Sequence, residues 1–181
     1  MKHFLLFFLL FGAKFTSQGQ TLAQAPSSTR YIRDIYEYVQ EKIHRQQYYI
    51  NEFKVNANHL PWANQETFIR TQQYHYSFVG DDTPILRMVT VITKIAEKNY
   101  YTEYLFDNDG QLIFCFDKQN DVGQYNFREL HAYFEHGLCV NLMIDRTIID
   151  AKDSRFNDKL GEIKNNADFY ARRFQEDMRD F

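Results

Sequence analysis

The chain has 181 residues, of which 44% are hydrophobic and 25% charged, with 21 Lys and Arg against 24 Asp and Glu. That balance excludes a disordered or fibrous chain, and the length suits one globular domain. A net charge of −3 with no basic stripe argues against nucleic-acid binding.

The first element is "MKHFLLFFLLFGAKFTSQGQ". Lys2 gives a positive start, and Phe4 to Ala13 form an apolar run too short to span a bilayer as a helix. With Ser17-Gln18-Gly19 after it, this has the form of a secretory signal. Residues 1–19 are expected to be removed, leaving 19 basic against 24 acidic side chains, a net charge of about −5. Ala23-Gln24-Ala25 is a weaker cleavage site, because Pro26 comes directly after it. The mature chain is then expected in a periplasm or outside the cell, soluble and without a membrane span. Residues 20–28 read as a polar tether, and 29–181 as one domain.

From Thr29 to Arg45, Ile32, Ile35, Tyr36, Val39 and Ile43 recur at helical spacing, with Ser27 or Ser28 available as cap. Tyr48 to Val55 alternates as a strand does. Asn56 to Gln65 is a loop with Pro61 and the sole tryptophan, Trp62.

A period-two rhythm comes next, rich in the aromatic residues that favour strands. The glycines Gly80, Gly110, Gly123 and Gly137 punctuate turn-like stretches. Between them, Thr67–Phe78, Ile85–Ile95, Tyr100–Phe106, Leu112–Phe116, Asn126–Phe134 and Leu138–Ile144 read as six strands. Strict alternation groups Ile85 with Val89 and Val91. It likewise groups Leu112 with Phe114 and Phe116, and Leu138 with Val140, Leu142 and Ile144. Short links predict an antiparallel meander. In the last segment Leu160, Ile163, Ala167, Tyr170, Phe174 and Met178 recur as on a helix, with Asn157 as cap and Gly161 as a weak point. The expected fold class is α+β: an N-terminal helix, an antiparallel meander of about six to seven strands, and a C-terminal helix packed on the sheet. A two-layer arrangement with both helices over one face is the simplest solution. A strongly curled sheet with a half-open cavity is its variant.

Asp107-Asn108-Asp109-Gly110 resembles part of a calcium loop. With Gly110 at the sixth position, however, the first and twelfth fall on Leu105 and Phe116, which cannot ligate. A hairpin corner is expected instead. Cys115 and Cys139 would lie two strands apart in a meander, about 9.6 Å at the usual strand spacing. That exceeds the reach of a disulfide, roughly 7 Å between Cα atoms, so free thiols are expected.

The candidate chemistries are thin. Glu129, His131, His136 and His75 lack the three or four clustered ligands a metal needs, so no metal or other cofactor is expected. The serines Ser27, Ser28, Ser77 and Ser154 stand in no nucleophile motif, and neither cysteine has a neighbour in sequence that would activate it. Glu103, Glu129 and Glu135 alternate with apolar residues, the pattern of a wet outer face. What remains is aromatic surface: Trp62, Tyr74, Tyr76, Tyr104 and Tyr133 are the expected ligand-binding residues, since such rings pair a flat apolar body with a polar edge. The leading expectation is an exported, non-catalytic binding protein with a lipid, glycan or peptide in an aromatic-lined concavity. The alternative is an envelope assembly component that docks another envelope protein. A third is a hydrolase assembled from Cys115, His131 and Glu129.

Overall fold

The computed structural model describes residues 27–61, 67–80, 82–119 and 128–179. The expected signal segment, nearly all of the tether, and Trp62 lie outside the described residues. Helix α1 (Ser27–His44) leads into β1 (Tyr49–Val55), β2 (Phe68–Val79), β3 (Thr83–Ile95), β4 (Lys98–Phe106) and β5 (Leu112–Gln119). Then come β6 (Glu129–Glu135), β7 (Leu138–Ile144), β8 (Thr147–Ile149), a single 3₁₀ turn at Ser154–Phe156, and α2 (Asn157–Asp177). The eight strands form one sheet in sequence order, and every neighbouring pair is antiparallel. No helix among the described residues is long and apolar enough to cross a membrane.

The turns explain why the meander forms. Gly110 has φ +75 and its N–H donates to the Asp107 carbonyl at 3.2 Å. The Asp107 carboxylate accepts from the backbone N–H of Asp109 and Gln111 at 2.9 and 2.8 Å. Asp107 to Gly110 is therefore a hairpin corner whose first carboxylate is spent on its own backbone. His136 and Gly137 join β6 to β7 with φ of 49 and 76, which matches the right-handed twist of the strands. Asp145 and Arg146 do the same between β7 and β8, with φ of 46 and 70. That Asp-Arg link carries no glycine, so nothing in the sequence announced β8. Asp145 Oδ1 also accepts from the N–H of Arg128 and Glu129 at 3.0 and 2.9 Å, fixing the start of β6.

Three β-bulges line up across the sheet. The pairs His75–Met88, Met88–Leu105, Leu105–Phe114, Phe114–Tyr133 and Tyr133–Asn141 form one continuous row. Beside that row, Arg87, Ile113 and Val140 are each skipped in the register. A bulge reverses the parity of the residues beyond it. Hence Leu86, not Ile85, shares a face with Val89 and Val91. Leu112 packs with Cys115, while Phe114 and Phe116 go to the opposite face. Cys139, not Val140, sides with Leu142 and Ile144. Strict alternation grouped the residues on one side of each bulge correctly and misassigned those beyond it for this one reason.

The helices take opposite faces, so the molecule has three layers and not two. Helix α2 lays Leu160, Ile163, Ala167, Tyr170 and Phe174 on Tyr74, Tyr76, Val89, Tyr104, Phe106, Cys115, Ala132 and Phe134. Helix α1 lays Ile32 and Val39 on the bulge row, against Met88, Leu105, Phe114 and Tyr133. Burying each of these two aliphatic side chains stabilises the fold by about 1.5–3 kcal/mol. Both helices cross the strands. Helix α1 runs from Thr29, whose Oγ1 accepts from Asn141 on β7, to Gln40, which donates to Glu103 on β4. Helix α2 runs from Lys159, paired with Asp117 on β5, to Phe174, whose ring meets Tyr76 on β2. Its start differs from expectation. Asn157 is already helical, and Asp153 caps the preceding 3₁₀ turn by accepting from the Arg155 N–H. Both thiols are free, Cys115 being buried and Cys139 half-buried, as the meander order requires.

Candidate functional site

On the α2 face the sheet changes character from rung to rung. One rung, Tyr74–Val89–Tyr104–Cys115–Ala132, is predominantly apolar and sits under the helix. The next, Gln72–Val91–Thr102–Asp117, is mixed. The one beyond, Arg70–Thr93–Tyr100–Gln119, is polar but for the Tyr100 ring. Where the polar rungs meet the first half of α2, the layers leave a cleft of about 330 Å³. Lys159, Glu162, Asn166 and Tyr170 close it from the helix side.

A buried ion pair forms one wall. Lys159 Nζ lies 2.7 Å from Asp117 Oδ2, with the two side chains 10% and 7% exposed, and 3.4 Å from Glu162 Oε1. Burial pushes the Lys159 ammonium down, but the charge and hydrogen bond of Asp117, with help from Glu162, more than offset this and leave it raised. Arg70 forms the other wall. Its Nε donates to Thr93 Oγ1 at 3.3 Å and its guanidinium lies over the Phe68 ring at 5.1 Å. Among the described residues no carboxylate pairs with it. Gln119, 8% exposed, has no side-chain hydrogen-bond partner among the described residues. The cleft thus holds one compensated cation, one uncompensated cation and one amide with its capacity unused.

The predicted ligand-binding tyrosines do not form one set. Tyr104 lines the cleft. Tyr74 and Tyr76 are buried on the same face but packed beneath α2, where Tyr74 meets Tyr170 and Phe174, and Tyr76 meets Phe174. Burial pushes the Tyr74 hydroxyl up to about 12. Tyr133 is buried on the opposite face, ring to ring with Phe114 at 4.9 Å. The cleft residues that periodicity passed over are Arg70, Asp117, Gln119, Lys159 and Asn166. One signal was available: in "IFCFDKQ", Asp117 and Gln119 share the parity of buried Cys115, an odd place for polar side chains on a strand.

The α1 face also corrects the sequence reading. Glu103, expected on a wet outer face, is 3% exposed. Its carboxylate accepts from Tyr36 Oη at 2.6 Å, from Gln40 Nε2 at 2.8 Å and from the Tyr101 hydroxyl. Burial, then the bond to Glu103, raises both tyrosine hydroxyls. His75 is also buried there, with Nδ1 unpartnered among the described residues. Burial holds its imidazole below the usual histidine range, and the charge of Glu103 only partly opposes this. This cluster ties α1 to β4, and none of its residues lines the α2 cleft.

The hydrolase set does not assemble. Cys115 packs into the α2 face, whereas Glu129 and His131 occupy the other parity of β6, with His131 against the Phe114 and Phe116 rings. Burial, then the charge of Asp117, pushes the Cys115 thiol well above its ordinary value, away from a nucleophilic thiolate. Among the described residues no three His, Cys, Asp or Glu side chains come together to hold a metal ion.

No protein-family model matches the chain, and no curated protein or solved structure matches it.

Proposed function

We propose that this chain is an exported binding protein without catalytic activity, and that its ligand is a small polar molecule held in the cleft between α2 and β2–β5. The observation that carries the reading is the pairing of a formed cleft with polar groups left uncommitted inside it, Arg70 and Gln119. Buried polar groups are normally satisfied, because stripping their water without replacement costs free energy. Arg70 and Gln119 are not among the sealed, unpartnered groups, so they keep their water, and a ligand in the cleft takes over those contacts. The concavity is less aromatic than the sequence suggests: Tyr100, Tyr104 and Tyr170 line it, but amides, hydroxyls and charges outnumber them. That lining disfavours a lipid, whose tail would bury these groups unpaired.

The test is a titration of the full chain with panels of polar metabolites, glycans, short peptides and fatty acids, with ¹H–¹⁵N shift mapping of each. Saturable shifts at Thr93, Thr102, Gln119 and Asn166 are expected from a polar panel. Shifts confined to fatty acids, or none at these residues, would refute the reading. Export rests on the N-terminal sequence and is checked by sequencing the N-terminus of the protein recovered from each cell fraction.

A second reading, an assembly component, is favoured by the outer edge of β1, which pairs with no other strand among the described residues and where Tyr49 and Ile50 are 60% and 50% exposed. Such edges accept a partner strand. Crosslinking in native extract distinguishes the two: a stoichiometric partner attached through β1 supports assembly, and a chain that runs alone counts against it.

A further inference from the structure

We infer that the cleft takes a polyhydroxy ligand bearing a single carboxylate, a uronate-type sugar, with that carboxylate on Arg70. The inference rests on the proposed binding function and adds the chemical class of the ligand.

The lining of the cleft is neutral overall, and the pairing within it, not its net charge, leaves a place for an anion at Arg70. The lining carries two cations, Arg70 and Lys159, and two anions, Asp117 and Glu162. Both anions lie within ion-pair distance of Lys159, at 2.7 and 3.4 Å. Arg70 is left as the cation without an acidic partner among the described residues. Its Nε is engaged by Thr93, and its terminal nitrogens donate to no described residue. A guanidinium fork in that state fits one carboxylate by two parallel hydrogen bonds. A nucleotide or a dicarboxylate would bring more negative charge than a single uncompensated arginine can meet.

The rest of the lining selects hydroxyls. Gln119 offers an amide that bonds no described side chain, and Asn166 a second, half-buried amide beside the Tyr104 hydroxyl. Thr93 and Thr102 add hydroxyls from the sheet, and Glu162 an exposed carboxylate at the rim. Groups that both give and accept hydrogen bonds are what a ring of hydroxyls requires. The half-buried Tyr100 ring supplies an apolar face for the C–H side of such a ring. The volume, about 330 Å³, lies at the small end of ligand pockets, which span about 300–1,000 Å³. One or two sugar rings fill it.

Calorimetric titration of the full chain with glucuronate and galacturonate, with their neutral parents glucose and galactose, and with acetate, tests the inference. One of the uronates is expected to bind at least about tenfold more tightly than its neutral parent and than acetate, as the loss of a charged hydrogen-bonded contact implies. Arg70→Gln should remove that preference and Arg70→Lys recover part of it, while the thermal midpoint stays within a few degrees of the native chain. Equal binding of acid and neutral sugars, acetate as tight as the uronate, or a preference that survives Arg70→Gln would overturn it. So would silence from every sugar while other polar molecules still shift the cleft resonances, an outcome that leaves the broader binding reading intact. If no polar molecule shifts those resonances, both fall.

Discussion

The two faces of the sheet bury carboxylates to a similar depth and satisfy them in different ways. Under α1, Glu103 meets neutral donors, two tyrosine hydroxyls and an amide, and no cation lies within ion-pair distance among the described residues. Under α2, Asp117 meets an ammonium, and a second cation and an amide remain over at the cleft wall. The first arrangement spends the Glu103 carboxylate on donors from α1 and β4, while His75 Nδ1 beside it stays unpartnered among the described residues. The second leaves surplus hydrogen-bonding capacity and an opening. Depth of burial alone therefore does not mark a site in this molecule; unused polar groups have to meet a cavity as well, as they do at the α2 face.

The largest effects should come from the ion pair. Asp117→Ala leaves Lys159 buried without its closest partner and should cost about 3–5 kcal/mol of unfolding free energy, read from urea transitions. The double variant Asp117→Leu with Lys159→Met should recover much of that stability while abolishing ligand binding in the cleft. A single variant that loses less than about 1 kcal/mol would mean that the pair is wetter than its 10% and 7% exposure implies.

On the opposite face, Tyr36→Phe removes one charged hydrogen bond and should cost about 1.5–3 kcal/mol, with ligand affinity unchanged. An affinity loss comparable to that of a cleft variant would erase the distinction between the faces.

The same face should also govern acid sensitivity. Because His75 titrates below its unfolded range, the unfolded chain takes up a proton near pH 6.5 that the folded chain still refuses. Stability is then intact above about pH 6.5 and falls as pH drops below it, by at most about 1.4 kcal/mol per pH unit for each such histidine. His131, lowered chiefly by burial, acts in the same direction. Denaturant midpoints at pH 7.5 and 5.5 should show the fall, and His75→Gln should reduce it. An unchanged slope in that variant would assign the effect elsewhere.

The smallest expected effect is a gain. Gly161 lies inside α2 with nothing within 4 Å of an added Cβ. Gly161→Ala should stabilise by about 0.5–1 kcal/mol, visible as a raised thermal midpoint, without altering the cleft.

Much of this fold was legible in the sequence. The helical spacing of Ile32, Ile35, Tyr36, Val39 and Ile43, and of Leu160 through Phe174, located both helices to within a few residues. Glycines and acidic corners located most of the hairpins. The candidate site was far less legible. Of the tyrosines singled out, Tyr104 reaches the cleft, Tyr74 and Tyr76 are packed under the helix, and Tyr133 is on the other face. Alternation reports which residues share a side only while the ladder is regular. The skipped residues Arg87, Ile113 and Val140 break it with no composition signal of their own. Glu103 failed for another reason: alternating with apolar residues, it looked solvated, and nothing local shows that a helix more than 60 residues earlier covers it.

By itself the sequence determined the local matters: which segments are helices, which are strands and where the chain turns back, with β8 and the Asp145-Arg146 turn before it as the exception. These depend on side-chain period and backbone preference over a few residues, and a few residues suffice to read them. The tertiary structure decided which face each helix covers, where the aligned bulges reverse the pleat, and which polar side chains are left without partners. Those outcomes belong to distances between segments far apart in the chain, and no local pattern carries them.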